Sequence, residues 1–526
     1  MVTGSSYLLE TADGVRGLVD CGMFQGSKAI EALNRREFPY RPSELNFVLL
    51  THAHIDHSGL LPRLCREGFK GPILCTKVTS ELLGIMLPDS GHIQEFEAEI
   101  ANRKGQRAGK QPMVPLYTVE DAYKCLKQLS PVPYNEEVVL SPKLKVRFRD
   151  AGHILGSSML EIWAEEEKPV KFLFSGDLGQ PDQPIIRDPS IVHEADYVIV
   201  ESTYGAKRHE HYDREERLAE IVNETVQRGG NVIIPAFAVG RTQTLLYYLH
   251  KLFKARRIPD IPVIIDSPLA ISATDIFLHN PQEYDAEASD MLYKDHDNPL
   301  TLPQLKFTRT TDESKALNKL DRPAIIISAS GMADAGRILH HLKHNLWRPE
   351  SSVLFVGYQA EGSLGRRLLE GAKRVKIMGE QISVKARIYN LEGFSAHADQ
   401  EQILKWLGNF NAAPAATFIL HGEEQMSVPL AKAVSDQLGF PTYVPRLGET
   451  AVVSGREWRI EPSDIAVKVP AVERLREFLR QLEHEYEGYR EQLEQMVAKD
   501  AGVLDEILRR LEKVRSFVKK NLENLF

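Results

Sequence analysis

His52, His54, Asp56 and His57 fall within six residues, directly after the apolar run Asn46–Thr51. Imidazole and carboxylate groups without a thiolate suit a catalytic zinc or manganese site better than a structural zinc knot. Alternation brings these side chains to one place from a single loop, and a buried strand behind them would hold that loop still. Three further candidate ligands lie downstream: His153 in the Gly-flanked stretch 150–156, Asp177 at the end of the run 171–175, and His421 at the end of the run 417–420. Any one of these could be a turn residue or a satisfied core histidine. Together with the His-x-His-x-Asp-His cluster they indicate an open dinuclear metal site at the ends of strands, where catalytic residues tend to gather.

The elements that must position these groups read as α/β. Strands are expected at 6–9, 16–20, 47–51, 73–76, 146–149, 172–175 and 197–201, with helices at 58–67 and 118–129. The polar stretch 90–115, with Arg103, Lys104, Arg107 and Lys110, reads as a surface helix and loop with a solvated face. After Tyr204 the rhythm changes to apolar strands, each followed by a helix, starting near 231, 262, 323 and 352. Non-alternating strands joined by helices predict a parallel sheet covered on both faces. This separate α/β domain is expected over 205–379. It interrupts a first domain (1–204) that resumes with a strand at 382–391 and runs to 466.

Inside the insertion, three strands end in Gly- or Ser-rich turns that open helices. Such turns offer free backbone N–H groups and a favourable dipole to anions. Arg241, Arg337 and Arg366 follow closely, and Ser330 and Ser363 lie in the turns. These five are the candidate phosphate-binding residues. The nucleotide-binding pattern G-x-x-x-x-G-K-[ST] does not occur.

At 526 residues the chain can bury two or three cores. No 18-residue apolar run and no signal peptide is present, so no membrane association is expected. The four cysteines show neither metal-ligand nor disulfide spacing, which predicts a reducing, cytoplasmic setting. The net charge of −8 does not advertise nucleic-acid binding, although a basic groove can exist within an acidic whole. From Leu475 to Leu525 apolar residues step by three and four, interrupted at 499–502. The stretch 467–526 therefore reads as a C-terminal helical hairpin whose seam joins two chains into a homodimer.

Asp20, the His52–His57 cluster, His153, Asp177, Glu201 in 200–205, His397 in 394–399 and His421 in 420–422 occur in the order of a known set of motifs. The chain thereby resembles the β-CASP nucleases of the metallo-β-lactamase fold over roughly 1–456. The resemblance implies an αββα sandwich with an inserted β-CASP domain. It also implies two zinc ions, with manganese as the alternative. His52, His54 and His153 would hold one metal, Asp56, His57 and His421 the second, and Asp177 would bridge them. Asp20 would orient a ligand from behind, and Glu201 and His397 would pair near the scissile phosphate. His421 at its motif points to RNA rather than DNA as substrate. The expected reaction is RNA phosphodiester hydrolysis, endonucleolytic with 5′-to-3′ exonucleolytic cutting left open, with Asp56, Asp177, His397 and Glu201 as the catalytic set and His397 as general acid. Hydrolysis of a small ester, thioester or lactone, and a silent scaffold role, are the rival readings. The inserted arginines and the full ligand set count against both. The resembled fold usually opens with a strand before the loop at 2–5, where this chain begins, so either an edge of the first sheet lacks its neighbour or that edge is repaired another way.

Overall fold

The computed structural model describes residues 2–463, apart from 27, 107, 108, 110, 210–212, 321, 358, 360, 361 and 392, together with residue 512. Residues 1–462 form one compact unit. The hairpin expected at 467–526 lies outside the described residues, apart from residue 512.

Two sheets face each other. The first runs Tyr7–Glu10, Arg16–Val19, Phe47–Leu49, Ile73–Thr76, Leu129–Val132 across its width. The second has seven strands, from Thr442–Tyr443 through Ala416–Leu420, Tyr197–Glu201, Val170–Phe174, Ser158–Ala164 and Leu144–Asp150 to Glu137–Ser141. Side chains alternate across each strand, as pleating requires. Val19 and Leu49 face inward and meet Phe148, Leu160, Ile162 and Phe174 of the second sheet, all buried. Their neighbours Leu18, Val48 and Leu50 face outward onto Leu61, Leu64, Leu82 and Leu83. On the far side of the second sheet, Leu173, Val198, Val200 and Ile419 pack under the helices Gln400–Leu407 and Glu424–Leu438. This is the expected αββα sandwich, and Tyr7–Glu10 is an edge strand.

The helix expected at 58–67 is two pieces, Ile55–Ser58 and Leu61–Arg66. The surface helix of the polar stretch is longer than expected, spanning Lys77–Gln106. Thr118 and Asp121 form a reciprocal capping box that starts Val119–Leu126.

The insertion carries a third sheet, ordered Leu305–Phe307, Val263–Ile265, Ile325–Ser328, Val232–Pro235, Ser352–Phe355, Arg387–Asn390, with every pair parallel. Both faces are covered: Val232, Ile234 and Ile265 lie against one helical layer, Ile233, Ile264 and Val353 against the other. The boundary at 379 needs correction. No single strand 382–391 returns the chain to the first domain. Glu380–Ser383 turns back on Arg374–Ile377, and Arg387–Asn390 then adds to the third sheet beside Ser352–Phe355. The inserted layer therefore reaches residue 390. Backbone bonds from Val384 to Lys373 and from Lys385 and Ala386 to Leu346 hold the break between the two strands.

Candidate metal centre and cleft

The strand Phe47–Leu49 delivers its following loop to the end of the first sheet, and the turn Ile55–Ser58 folds the cluster over. Asp20 fixes this arrangement from behind. Its carboxylate accepts from the Thr51 amide at 2.8 Å and the Thr51 hydroxyl at 2.9 Å, and lies 2.7 Å from His57 Nδ1. The His57 ring is thereby oriented with Nε2 toward the cleft, as metal-bound imidazoles require. Asp20 has φ of 60° and His421 φ of 46°, left-handed values that cost a non-glycine residue about 1–2 kcal/mol. The bonds made by their side chains hold both in place.

Asp177 occupies the centre. Its Oδ1 lies 3.2 Å from His57 Nε2 and 3.4 Å from His421 Nε2. Its Oδ2 lies 3.4 Å from His52 Nε2 and 3.5 Å from His153 Nε2. The two oxygens thus face two different groups of ligands. His52, His54, His153 and Asp177 present donor atoms within 4.8 Å of one another, and so do Asp56, His57 and His421. Within these groups, His57 Nε2 and Asp177 Oδ1 are buried without a hydrogen-bond partner among the described residues. Orphaned buried polar atoms beside clustered imidazoles and carboxylates fit a bound metal.

The electrostatics agree. Burial, then the neighbouring His52 imidazole, pushes His54 down to about 3, leaving it neutral, as a metal ligand must be. Burial, then His397, takes His153 well below its ordinary value. Burial would raise Asp177, but His57, His421 and His52 outweigh it and hold the carboxyl well below the usual range. His57 moves the other way: burial lowers it, while Asp177 and Asp20 more than compensate and raise it well above its ordinary value. The carboxylates ask for positive charge at this point, which either a proton or a metal ion can supply.

His397 sits beside this group. The backbone pairs Gly179 with His397, Ala398 N–H donates to Leu178 O at 2.7 Å, and Gln180 N–H donates to Ala396 O at 3.0 Å, docking the 394–399 loop on the segment after Asp177. His397 Nδ1 is 2.9 Å from Glu201 Oε1. Glu201 is itself held by the amides of Leu178 and Thr203, at 2.8 and 3.0 Å. Burial alone would lower His397; the Glu201 carboxylate reverses this and pushes it up to about 9. The His397 and Asp56 side chains are each 20 % exposed, whereas those of His52, His57, His153, Asp177 and His421 are at most 5 % exposed. Substrate therefore has access on the side of His397 and Asp56.

Ser5 belongs to the site and was not expected. Its Oγ is 2.6 Å from His421 Nδ1 and orients that imidazole as Asp20 orients His57. A serine in an opening loop carries no periodic or spacing signal, so the sequence did not single it out.

The candidate phosphate-binding residues divide. Arg241 starts the helix Arg241–Lys254, whose N-cap Gly240 makes no side-chain cap. The Arg241 Nε finds no hydrogen-bond partner among the described residues. Burial lowers the guanidinium to about 10, which leaves it charged at neutral pH. Arg337 is committed elsewhere: Nη1 donates to Asp266 at 2.7 Å, and Nη2 to the Arg309 carbonyl at 2.9 Å. Ser363 caps its own helix through the Arg366 amide, Arg366 pairs with Glu370 at 2.7 Å, and Ser330 Oγ accepts from the Ala335 amide. Arg337, Ser330, Ser363 and Arg366 thus make bonds within the chain, whereas the Arg241 Nε makes none among the described residues.

A metal-centred hydrolase on a metallo-β-lactamase sandwich is what this fold and centre define. Residues 2–209 match the metallo-β-lactamase superfamily, 242–368 the Beta-Casp domain and 381–445 the Zn-dependent metallo-hydrolase RNA specificity domain. The chain is 37 % identical over 449 residues to a ribonuclease of Thermus thermophilus, covering 85 % of this chain and 96 % of that one. It is 32 % identical to the transcription termination factor FttA of Methanocaldococcus jannaschii, covering 84 % of this chain and 68 % of the relative. The protein belongs to the β-CASP ribonucleases, a family of metal-dependent hydrolases.

Proposed function

We propose that this ribonuclease cuts RNA phosphodiester bonds at a centre of two zinc ions, with manganese as the alternative. His52, His54 and His153 would hold one ion, Asp56, His57 and His421 the other, and Asp177 would lie between them. The observation that carries this reading is the division of the two Asp177 oxygens between the two ligand groups. When bound, such a pair supplies Lewis acidity for the phosphoryl oxygens and a lowered pKa for a neighbouring water.

The remaining work falls to the chain. Glu201 accepts from His397 Nδ1–H, which sets the tautomer and leaves Nε2 as the free ring nitrogen. A proton on Nε2 is then available to the leaving oxygen as the ester bond breaks. Asp20 and Ser5 keep the rings of His57 and His421 from turning, and Arg241, whose Nε has no hydrogen-bond partner among the described residues, would meet a backbone phosphate. No helix among the described residues is long and apolar enough to cross a membrane. The four free cysteines support a reducing compartment, the cytoplasm. Metal-loaded protein incubated with RNA and DNA oligomers of one sequence, labelled at either end, tests the reading. Cleavage of RNA with little of DNA is expected. Cleavage of neither rules it out, and the positions of the labelled products separate internal cutting from 5′-to-3′ trimming.

A further inference from the structure

The turn after Val232–Pro235 carries an aromatic ring that the chemistry above leaves without a role. Its backbone is fixed. The Phe237 carbonyl accepts from the Thr242 amide at 3.3 Å and the Thr242 hydroxyl at 2.8 Å, so the turn and the first coil of the helix Arg241–Lys254 move as one. Ala236, Ala238 and Val239 are buried, yet Phe237 between them is 42 % exposed. The ring lies over Gly331, in the turn after the neighbouring parallel strand Ile325–Ser328. A Cβ at residue 331 would come within 2.9 Å of it, so a glycine there leaves the ring its place.

The location is informative. The turn lies at the carboxyl end of a parallel sheet, where open α/β sheets bind their ligands. At the same turn, Gly240 adopts φ of 80° and comes so close to the metal domain that a Cβ would lie 3.1 Å from Ile154, the residue after His153. A rigid loop that touches the residue after His153 thus presents an arginine whose Nε has no hydrogen-bond partner among the described residues, and an exposed phenyl face.

Resting on the ribonuclease reading, we infer that Phe237 is a stacking platform for one base of the RNA, next to the phosphate gripped by Arg241. Every base has a π-face, so this contact holds the strand without selecting its sequence. The chemistry asked of the ligand is a single-stranded, unstacked nucleotide; a duplex keeps its base faces occupied and gains nothing from the ring.

The test compares wild type, Phe237→Ala and Phe237→Trp on one single-stranded RNA oligomer, and on a series in which a single abasic nucleotide is walked along it. Phe237→Ala should raise KM by about ten- to a hundredfold, the range of one base–aromatic contact, and Phe237→Trp should restore it. Wild type should show an abasic penalty of similar size at one position, and Phe237→Ala should be indifferent to the lesion there. Equal KM values for Phe237→Ala and wild type would overturn the inference. So would an abasic penalty that survives Phe237→Ala, or a Trp variant as weak as the Ala variant. If wild type fails to cut RNA at all, the ribonuclease reading itself falls, whereas the other failures leave that reading intact.

Discussion

At the residue scale, one carboxylate faces two groups of candidate ligands. Asp177→Asn should weaken both metal positions together, because each Asp177 oxygen faces a different ligand group. Metal analysis after dialysis should find both ions depleted relative to wild type; retention of two per chain would refute the bridging role. His397→Ala is expected to keep its metals and lose about a hundred- to ten-thousandfold in RNA cleavage, the range of general acid catalysis. Loss of metal in that variant would instead make His397 a ligand. Ser5→Ala removes the partner of His421 Nδ1, and partners of this kind are typically worth about ten- to a hundredfold in metal affinity. A metal titration of Ser5→Ala against wild type reads that difference. The seven candidate ligands were legible in the sequence because short spacings and strand-end positions announce them. Ser5 was not, because a hydrogen bond across 416 residues leaves no local trace.

At the scale of elements, the third sheet was legible as apolar runs followed by helices, and its far edge was not. Arg387–Asn390 carries a mixed, half-exposed pattern that suits an edge strand of either domain, and pairing with Ser352–Phe355 decided between them. Arg337 was ambiguous for a similar reason. An arginine after a glycine turn looks the same whether it meets a phosphate or a buried aspartate 71 positions away. That aspartate, Asp266, ends the strand Val263–Ile265 and is bonded at 2.6–2.7 Å by Thr308, Ser314, Arg337 and His341. Burial would raise its carboxyl, but these donors hold it far below the ordinary value. A carboxyl with a depressed folded value stabilises the protein above its unfolded pKa of about 3.9, and the contribution is lost as pH falls toward the folded value. Asp266→Asn should therefore cost about 3 kcal/mol at neutral pH in denaturant unfolding, with the gap to wild type closing below about pH 4. A gap independent of pH would show that packing, not charge, is what Asp266 supplies.

At the scale of the whole molecule, every residue assigned to the centre lies between Ser5 and His421. Removing residues 472–526 should leave the metal content unchanged. The apolar seam of that tail is expected to hold two chains together, so light scattering should show a dimer for the full chain and a monomer for the truncated one. A full-length monomer at micromolar concentration would defeat this. The sheet order has a further consequence. Tyr197–Glu201 pairs in parallel with Ala416–Leu420, the strand that delivers His421, and the insertion is threaded between them. At about 5–20 residues per second, a ribosome needs roughly ten to forty seconds to cross that interval. Throughout it the nascent chain already carries His52, His54, Asp56, His57, His153 and Asp177 but not His421, and His397 is added only near its end. The candidate ligand set of the growing chain therefore stays incomplete until His421 has been added. Cutting ability arrives late in synthesis, after the inserted domain has emerged.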